Sequence, residues 1–377
     1  MNSQVDTRMC TRCIMRLIDD PEITFTGGVC NHCLRYDELI DSRVLIGDEG
    51  NAAITRLAHQ IKKTGRRGEY DCLIGVSGGI DSTYVAMSVK RLGLRPLAVH
   101  VDNGWNSETA VKNIEQTLEK LDIDLETHVL RLDEFYDLQR SFLLASTPDG
   151  EIPSDHAIQA TLWKVARKHG IRYIVSGMNF RTEAMSVPSW AYGHSDWRYI
   201  KDVHRNHGNV KLRSYPHFGF LELLYTTVVR RVRIVSVLNY VDYDKAAAVQ
   251  EMSTGFGWRD PGGKHFESVY TRFYQAFVLP VKFGIDKRRG HLSDLINSGL
   301  TTRDAALIEI ESTDYSEELA RRDRTFVEKK LRLTTEEFDA ILAAPRQSFH
   351  DYRNSYGFVQ FLRRSVNRLR RLGLYPR

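Results

Sequence analysis

A buried strand that leads into a glycine-rich loop and then a helix most constrains the fold of this chain. Residues 70–76 have a buried-strand pattern, Ser77-Gly-Gly-Ile-Asp-Ser82 follows, and helical spacing resumes over residues 83–92. The alternation continues with strands at 96–102, 125–132 and 173–176 and helices at 106–121 and 155–168. It predicts an α/β fold with parallel strands and crossover helices, in which ligands bind beyond the carboxyl ends of the strands.

The glycine loop has the composition of an anion-binding turn. Gly78 and Gly79 allow bare backbone amides to approach a phosphate, and the following helix points its N-terminus at the same place. Ser77, Asp81 and Ser82 add hydroxyls and a carboxylate suited to Mg²⁺. No Gly-Lys-Ser/Thr follows, which excludes the kinase-type phosphate loop. We therefore predict a pyrophosphate cradle.

Two other interpretations of this loop stay open. Gly75-Val-Ser77-Gly-Gly79 also fits the nucleophile elbow of hydrolases, but that elbow normally follows several strands and here it follows the first. The loop could also be a tight turn with no ligand, since Asp81 and Ser82 are good residues for a first helical turn.

Four of the five cysteines form two C-x-x-C pairs near the N-terminus. Cys10 and Cys13 are followed by Cys30 and Cys33, a spacing typical of two knuckles that share one tetrahedral zinc ion. Four thiolates leave no open position, so we predict a structural site and do not expect His32 to replace a cysteine. A redox or iron–sulfur role is the alternative. Cys72 lies within the first strand and is expected in the core.

Composition and segment patterns suggest four regions. We expect a zinc module at 1–45, a helical linker at 46–69, a nucleotide-binding domain at 70–220 and a helical region at 221–377. The net charge is a mild +5, from 53 basic and 48 acidic residues. Neither a membrane span nor a signal peptide is evident in the sequence, so we expect a cytoplasmic protein. Residues 190–217, rich in aromatic and histidine side chains, are expected to face a substrate, or else to form a packed irregular lid. Their irregular histidines His194, His204 and His207 are not expected to bind metal.

Ser77-Gly-Gly-Ile-Asp-Ser82 is similar to the S-G-G-x-D-S signature of the PP-loop ATP pyrophosphatases. That resemblance implies a Rossmann-like sheet of the adenine nucleotide alpha hydrolase type, and activation of a carbonyl oxygen as an adenylate. Val99-His-Val-Asp-Asn103 resembles the family's adenosine-contacting segment, which implies that Val99, His100 and Asp102 bind ATP. Ser176-Gly-Met-Asn179 resembles the loop that closes on the nucleotide, which implies the same for Ser176 and Gly177.

The whole chain resembles the N-acetyl sugar amidotransferases of bacterial surface-polysaccharide pathways. The likeness lies in the zinc module, the PP-loop, Ser186-Val-Pro-Ser-Trp190 with Ser195-Asp-Trp197, and Lys282-Phe-Gly-Ile-Asp-Lys-Arg-Arg-Gly-His291. It implies conversion of an acetamido group on a UDP-linked amino sugar into an acetamidino group in lipopolysaccharide O-antigen synthesis. ATP, Mg²⁺ and structural Zn²⁺ would be required. It also implies a glutaminase pair similar to the imidazole glycerol phosphate synthase subunits as the ammonia source.

On this basis we assign Ser77, Asp81 and Ser82 to catalysis and these residues with Gly78 and Gly79 to pyrophosphate and Mg²⁺. Lys264, Lys287 and Arg288 are expected to clamp the departing phosphate, unless they are solvated surface charges. A tRNA-thiolating PP-loop enzyme and a non-catalytic nucleotide-binding scaffold are the alternatives. We expect neither a membrane nor a nucleic-acid partner, although the arginine-rich segment 358–371 would suit RNA or a solvated amphipathic helix.

Overall fold

The computed structural model describes residues 8–263, 265–312, 315–361 and 364 of the 377-residue chain. The strands are β1 (Phe25–Thr26), β2 (Val29–Cys30), β3 (Cys72–Gly75), β4 (Pro96–Asp102), β5 (Leu125–Val129), β6 (Tyr173–Ser176) and β7 (Arg233–Ser236). The helices are α1 (Asn31–Arg43), α2 (Gly47–Gly65), α3 (Ile80–Arg91), α4 (Glu108–Leu121), α5 (Leu132–Leu144), α6 (Ile152–Lys168), α7 (Phe180–Glu183), α8 (Trp197–His207), α9 (Phe220–Leu224), α10 (Lys245–Phe256), α11 (Val269–Phe273), α12 (Arg288–Asn297), α13 (Arg303–Glu311), α14 (Glu317–Leu331) and α15 (Thr335–Ala343). Two π-helical segments, Tyr225–Val229 and Tyr274–Phe283, continue α9 and α11, and 3-10 turns lie at Val237–Tyr240 and Phe349–Asp351.

Five parallel strands form the central sheet in the order β5-β4-β3-β6-β7. The chain moves outward from β3 to β4 and β5, then returns to the other side of β3 with β6 and β7. The strand order therefore reverses between β3 and β6. In open parallel sheets a ligand crevice forms at this reversal, beyond the carboxyl ends of the two strands. The sheet confirms the predicted α/β fold and places the glycine loop at the crevice.

Helices cover both faces of the sheet. On one face α2, α3, α4 and α10 share a core with the strands, represented by Ile54, Val85, Ile114 and Met252. On the other face α6 packs against β3 and β4 through Trp163 and its neighbours. Strands β3 and β6 are buried along most of their length, as central parallel strands require, whereas exposed residues alternate along the edge strand β5.

The structure contains elements that the sequence patterns did not predict. Helix α8 forms within the supposedly irregular aromatic segment, and Asp196 caps it by accepting hydrogen bonds from the amides of Arg198 and Tyr199. Helix α5 and strand β7 were also missed. Strand β7 has four residues at the sheet edge, too short for a periodic signal. The sheet therefore extends beyond residue 220, where a helical region was expected to begin.

Two polar segments with the composition of loops are partly helical. Helix α10 continues to Phe256, and the glycine-rich loop begins only after it. The basic segment 288–290 forms the first turn of α12, in which Arg289 and Gly290 are buried.

Helices α11, α14 and α15 share a third core with α5 and α8. Its largest buried side chains include Trp105, Phe135, Tyr199, Tyr270 and Phe338. Among these helices, Asp323 of α14 accepts two hydrogen bonds of 2.7 Å from the buried guanidinium of Arg272. None of the helices among the described residues combines the length and apolarity needed to cross a membrane.

Candidate active site

The glycine loop between β3 and α3 is held rigidly by its neighbours. Gly78 has φ +79°, and a Cβ there would lie 2.2 Å from the carbonyl oxygen of Ala110. The Gly78 carbonyl accepts hydrogen bonds from Asn113 Nδ2 at 3.0 Å and Trp258 Nε1 at 3.2 Å. Only glycine fits this close approach and backbone conformation, so the loop shape depends on both α4 and the segment after α10.

The hydroxyls of the loop form a small network at the start of α3. Ser77 Oγ lies 3.2 Å from Ser82 Oγ, and Ser82 Oγ donates to the Gly79 carbonyl at 3.1 Å. The Gly79 amide donates to Ser77 Oγ at 3.3 Å. Because α3 begins after Gly79, which has no side chain to cap the helix, the first-turn amides face this point. The arrangement can bind a phosphate.

Asp81 lies between the loop and two other parts of the chain. Tyr243 Oη donates to Asp81 Oδ1 at 2.7 Å. Burial, and then the Asp81 carboxylate, hold the pKa of Tyr243 well above its usual value, so the phenol stays a donor. A Cβ on Gly177 would lie 3.3 Å from the Asp81 carbonyl carbon, so the loop after β6 passes directly over the start of α3.

A cavity of about 590 Å³ opens at this loop, a size typical of ligand sites. It is bounded by the glycine loop, α7, the start of α10, residues 258–263 and 265–267, and α12 and α13. Its charged and polar lining residues are Ser77, Asp81, Ser82, Arg181, Thr182, Asp242, Tyr243, Asp244, Lys245, Asp260, His265, Glu267, His291 and Glu309. The cavity therefore offers oxygen atoms that can bind Mg²⁺ and positively charged side chains that can bind the phosphates of a nucleotide.

The predicted residues of β4 lie beside the loop but do not line this cavity. The Val99 side chain is in the core against α6. His100 Nδ1 lies 3.0 Å from the Val76 carbonyl oxygen, and its Nε2 lies 3.1 Å from Asn106 Nδ2. Asp102 accepts a hydrogen bond from the Gly104 amide. These contacts hold the carboxyl end of β4 next to the loop after β3.

The structure does not bring the expected phosphate clamps to this cavity. Lys287 Nζ donates to Glu151 Oε2 at 2.7 Å. Arg288 pairs with Asp286 and donates to the carbonyls of Ile310 and Ser312, which joins α12 to the end of α13. Lys264 lies outside the described residues. The cations that do line the cavity, Arg181 and Lys245, were not predicted.

Two of three unpredicted residues at the site have sequence signals that could have revealed them. Arg181 lies two residues beyond the Ser176-Gly-Met-Asn179 loop, and its guanidinium is 3.2 Å from Asp242. His291 ends the basic segment in which Lys287 was chosen, and its Nδ1 lies 3.0 Å from the Thr182 carbonyl. Tyr243 has no local signal, because it reaches Asp81 from 162 positions away.

A polar cluster lies at the start of α6, near the end of β4. Asn103 Nδ2 donates to Ser154 Oγ at 3.3 Å and ties the two elements together. Burial alone would lower the pKa of Lys287, but Glu151 raises it. Asp155 is exposed and does not line the cavity at the glycine loop. The cluster therefore ties the start of α6 to β4 and to the start of α12.

The four N-terminal cysteines form a buried cluster that fits zinc. Their ligand atoms all lie within 4.8 Å of one another, with Sγ–Sγ distances of 3.6, 3.7 and 4.0 Å for three pairs. Zn–S bonds of about 2.3 Å in a tetrahedron require sulfur separations of about 3.8 Å. His32 binds Asp20 at 2.8 Å instead, so the four thiolates are Cys10, Cys13, Cys30 and Cys33.

The fifth cysteine is a core residue. Cys72 is fully buried on β3, and burial raises the pKa of its thiol to about 12. A thiol in this state is a poor nucleophile at neutral pH. The expectation that Cys72 packs in the core is confirmed.

The aromatic segment lines a second, larger cavity of about 1790 Å³. Trp197 stacks on His217 with ring centres 4.3 Å apart. Cationic and aromatic side chains predominate in its lining, including Tyr192, Trp197, Arg198, Lys201, Arg205, Lys211, Arg213, Phe349, Arg353 and Tyr356. His204 and His207 bind Asp137 and Tyr352 respectively, and in the described part of the chain the cysteines form the only metal-type cluster.

Comparison with known proteins gives two family matches in separate parts of the chain. Residues 71–178, which contain the glycine loop and β3 to β6, match the model for queuosine biosynthesis protein QueC. Residues 267–365 match the model for the C-terminal domain of LPS biosynthesis protein WbpG-like proteins. No curated protein is similar enough to count as a match.

Solved structures give weaker likenesses. NMN synthetase from Francisella tularensis is 14% identical, with 76% of this chain and 98% of that chain covered and a TM-score of 0.36. A predicted tRNA methyltransferase subunit from Methanocaldococcus jannaschii is 14% identical, with 48% and 73% covered and a TM-score of 0.28. The family matches are more informative, because they fall on the glycine loop and on the helices that close its cavity. The two matches therefore support an ATP-utilising enzyme of the PP-loop type over residues 71–178, joined to a C-terminal part that is similar to WbpG-like proteins over residues 267–365.

Proposed function

We propose that this protein is an ATP-dependent amidotransferase that converts the acetamido group of a nucleotide-linked amino sugar into an acetamidino group. The observation that carries the proposal is the union, in one chain, of the Ser77–Ser82 loop with a C-terminal domain of the WbpG-like type. That family is named for lipopolysaccharide biosynthesis, which supports a surface-sugar substrate.

The proposed reaction has two steps. The carbonyl oxygen of the acetamide attacks the α-phosphorus of ATP, and pyrophosphate leaves. Ammonia then attacks the carbon of the resulting imidate adenylate, a proton is lost, and AMP leaves with the former carbonyl oxygen. Amide oxygen is a poor leaving group until it carries the adenylyl group, which is why ATP is needed.

The residues at the loop would position charge in the first step. Amides at the start of α3, with Ser77 and Ser82, would hold the pyrophosphate, and Arg181 and Lys245 would offset its negative charge. Asp81 and the two serines supply the hard oxygen ligands that Mg²⁺ prefers, and Mg²⁺ would neutralise phosphate charge.

The second cavity would hold the sugar nucleotide. Aromatic rings such as Trp197 and Tyr192 cover sugar or base faces, and Arg198, Lys201 and Arg205 offer charge to a diphosphate. The ammonia would come from a glutaminase pair resembling the imidazole glycerol phosphate synthase subunits, and we place the reaction in the cytoplasm, where nucleotide sugars would meet it.

The test is an incubation of the purified protein with MgATP, an ammonium salt and a panel of UDP-linked N-acetylated sugars. We expect AMP and pyrophosphate to form together with a sugar whose mass falls by the difference between O and NH. Asp81→Asn should reduce AMP formation at least about 100-fold, because it removes charge from the Mg²⁺ site. Asp304→Asn is the matched control, since Asp304 is also the second residue of its helix but lies on the exposed surface of α13.

Other results would contradict the proposal. AMP release that depends on tRNA and leaves every sugar unchanged would favour a tRNA-modifying enzyme. ATP binding without any AMP release, with the sugars, ammonium and a glutaminase all present, would favour a nucleotide-binding scaffold. Equal loss of activity in Asp81→Asn and Asp304→Asn would remove Asp81 from the proposed site.

A further inference from the structure

The helix that begins with α9 exposes an apolar face to solvent. Six exposed residues recur every three to four positions and so lie on one side of the helix: Phe220, Leu221, Leu224, Tyr225, Val228 and Val229. Leu221 is 80% exposed and Val229 is 66% exposed, whereas Thr226 on the opposite side is completely buried. We call these six residues the 220–229 face. A contiguous apolar face of this kind marks an interaction surface.

The apolar surface continues onto the last described part of the chain. The Phe358 ring meets the Phe220 ring edge-on, with centres 5.3 Å apart, and both Phe358 and Phe361 are exposed. The sequence that follows alternates apolar residues with Arg363, Arg364, Arg368, Arg370 and Arg371. Basic amphipathic sequence of this composition is typical of segments that lie on membrane surfaces.

Arginines gather at the C-terminal end of the same face. A small cavity of about 150 Å³ beside Val229 is lined by Arg167, Arg172 and Arg230. Arg167 is already paired with Glu222 at 2.6 Å. Within the described residues the guanidinium groups of Arg172 and Arg230 have no hydrogen-bond or ion-pair partner. Unpaired guanidinium groups around one small space suit a phosphate group.

We propose that the 220–229 face and its arginines dock this protein on a bilayer surface that contains anionic phospholipids. The apolar side chains enter the boundary between headgroups and acyl chains, and Arg172 and Arg230 contact lipid phosphates. This docking departs from the expectation of no membrane partner, which rested on the lack of a spanning segment. It does not depend on the proposed reaction.

Charge favours a lipid surface over a second copy of the chain. Arg230, Arg231 and Arg233 are exposed beside the face, whereas the acidic Glu222 is already paired. A two-fold contact through the face would bring these like charges together, and such contacts are unfavourable. An anionic bilayer complements them along the whole face and needs no matching shape.

The test is co-sedimentation of the full chain with vesicles of phosphatidylcholine alone or of equimolar phosphatidylcholine and phosphatidylglycerol. We expect binding to the anionic vesicles that weakens as salt is raised. Leu221→Glu combined with Val228→Glu, and separately Arg172→Glu combined with Arg230→Glu, should each weaken binding at least about tenfold. Ile308→Glu is the matched control, because Ile308 is 74% exposed on α13, outside the face. All variants change exposed residues, and their zinc content and unfolding temperature report whether they fold.

Three results would overturn the proposal. The first is absence of binding to anionic vesicles at low salt. The second is an equal loss of binding in Ile308→Glu. The third is light scattering that shows a dimer of the wild-type chain converted to a monomer by Leu221→Glu with Val228→Glu, since the face would then be covered by a second copy.

Discussion

Gly78 shows how a single residue links the loop chemistry to distant parts of the chain. Its left-handed backbone and its contact with Ala110 exclude a side chain, and its carbonyl oxygen accepts hydrogen bonds from α4 and from Trp258. The glycine is thus needed both for the turn and for the packing of the turn against its neighbours.

We expect Gly78→Ala to lower ATP affinity at least about tenfold and to destabilise the fold by more than about 2 kcal/mol, since it adds a clash to backbone strain. Gly170→Ala is the control, because Gly170 has φ +67° but a Cβ there meets nothing within 4 Å. It should cost only about 1–2 kcal/mol and leave ATP affinity unchanged. Calorimetric ATP titration and urea unfolding measure both effects. Equal ATP affinity in the two variants would show that the close approach at Gly78 does not shape the site.

At the scale of elements, the segment that carries the cysteine cluster packs against α12 and α13, which form one side of the cavity at the glycine loop. Ile14, between the knuckles, packs with Leu292 of α12 and Ile310 of α13. Its carbonyl accepts a hydrogen bond from Arg289 at 3.1 Å. The same two helices contribute His291 and Glu309 to the cavity at the glycine loop. Metal binding in the N-terminal module should therefore affect nucleotide binding.

We expect Cys30→Ser combined with Cys33→Ser to abolish zinc binding, to lower the unfolding temperature and to weaken ATP binding. The indole of Trp190, which donates to the Asp19 carbonyl at 2.6 Å, should become solvated, with a shift in fluorescence. Cys72→Ala is the control and should keep its zinc, because Cys72 lies in the sheet core. Elemental analysis and thermal unfolding provide the measurements. A double variant with full zinc content would refute the four-thiolate site.

At the scale of the whole molecule, the cavity is assembled from segments far apart in sequence. The glycine loop and α3 form one side, and α7 and the start of α10 form another. Residues 258–263 and 265–267, with α12 and α13, close the cavity. The two family matches fall on opposite sides of this space. Nucleotide binding should therefore join the two halves of the chain.

We expect MgATP to slow amide hydrogen exchange in residues 77–82, in 258–263 and in α12, while α15 stays unchanged because it lies outside the cavity. Exchange measured by mass spectrometry with and without MgATP checks this expectation. Protection confined to residues 77–82 would mean that the C-terminal half takes no part in nucleotide binding.

Local sequence patterns were enough to predict the parallel α/β sheet, the glycine loop before α3 and the cysteine pairs. Each is a pattern of neighbouring residues, and strand and helix periods or ligand spacing need no distant partner. Which cations line the cavity at the loop depends instead on tertiary packing. Arg181 and Lys245 line it, whereas Lys287 pairs with Glu151. Strand β7, at the sheet edge, likewise forms through its pairing with β6. Both features depend on which distant segments pack together in the core, so they cannot be predicted from a local sequence pattern.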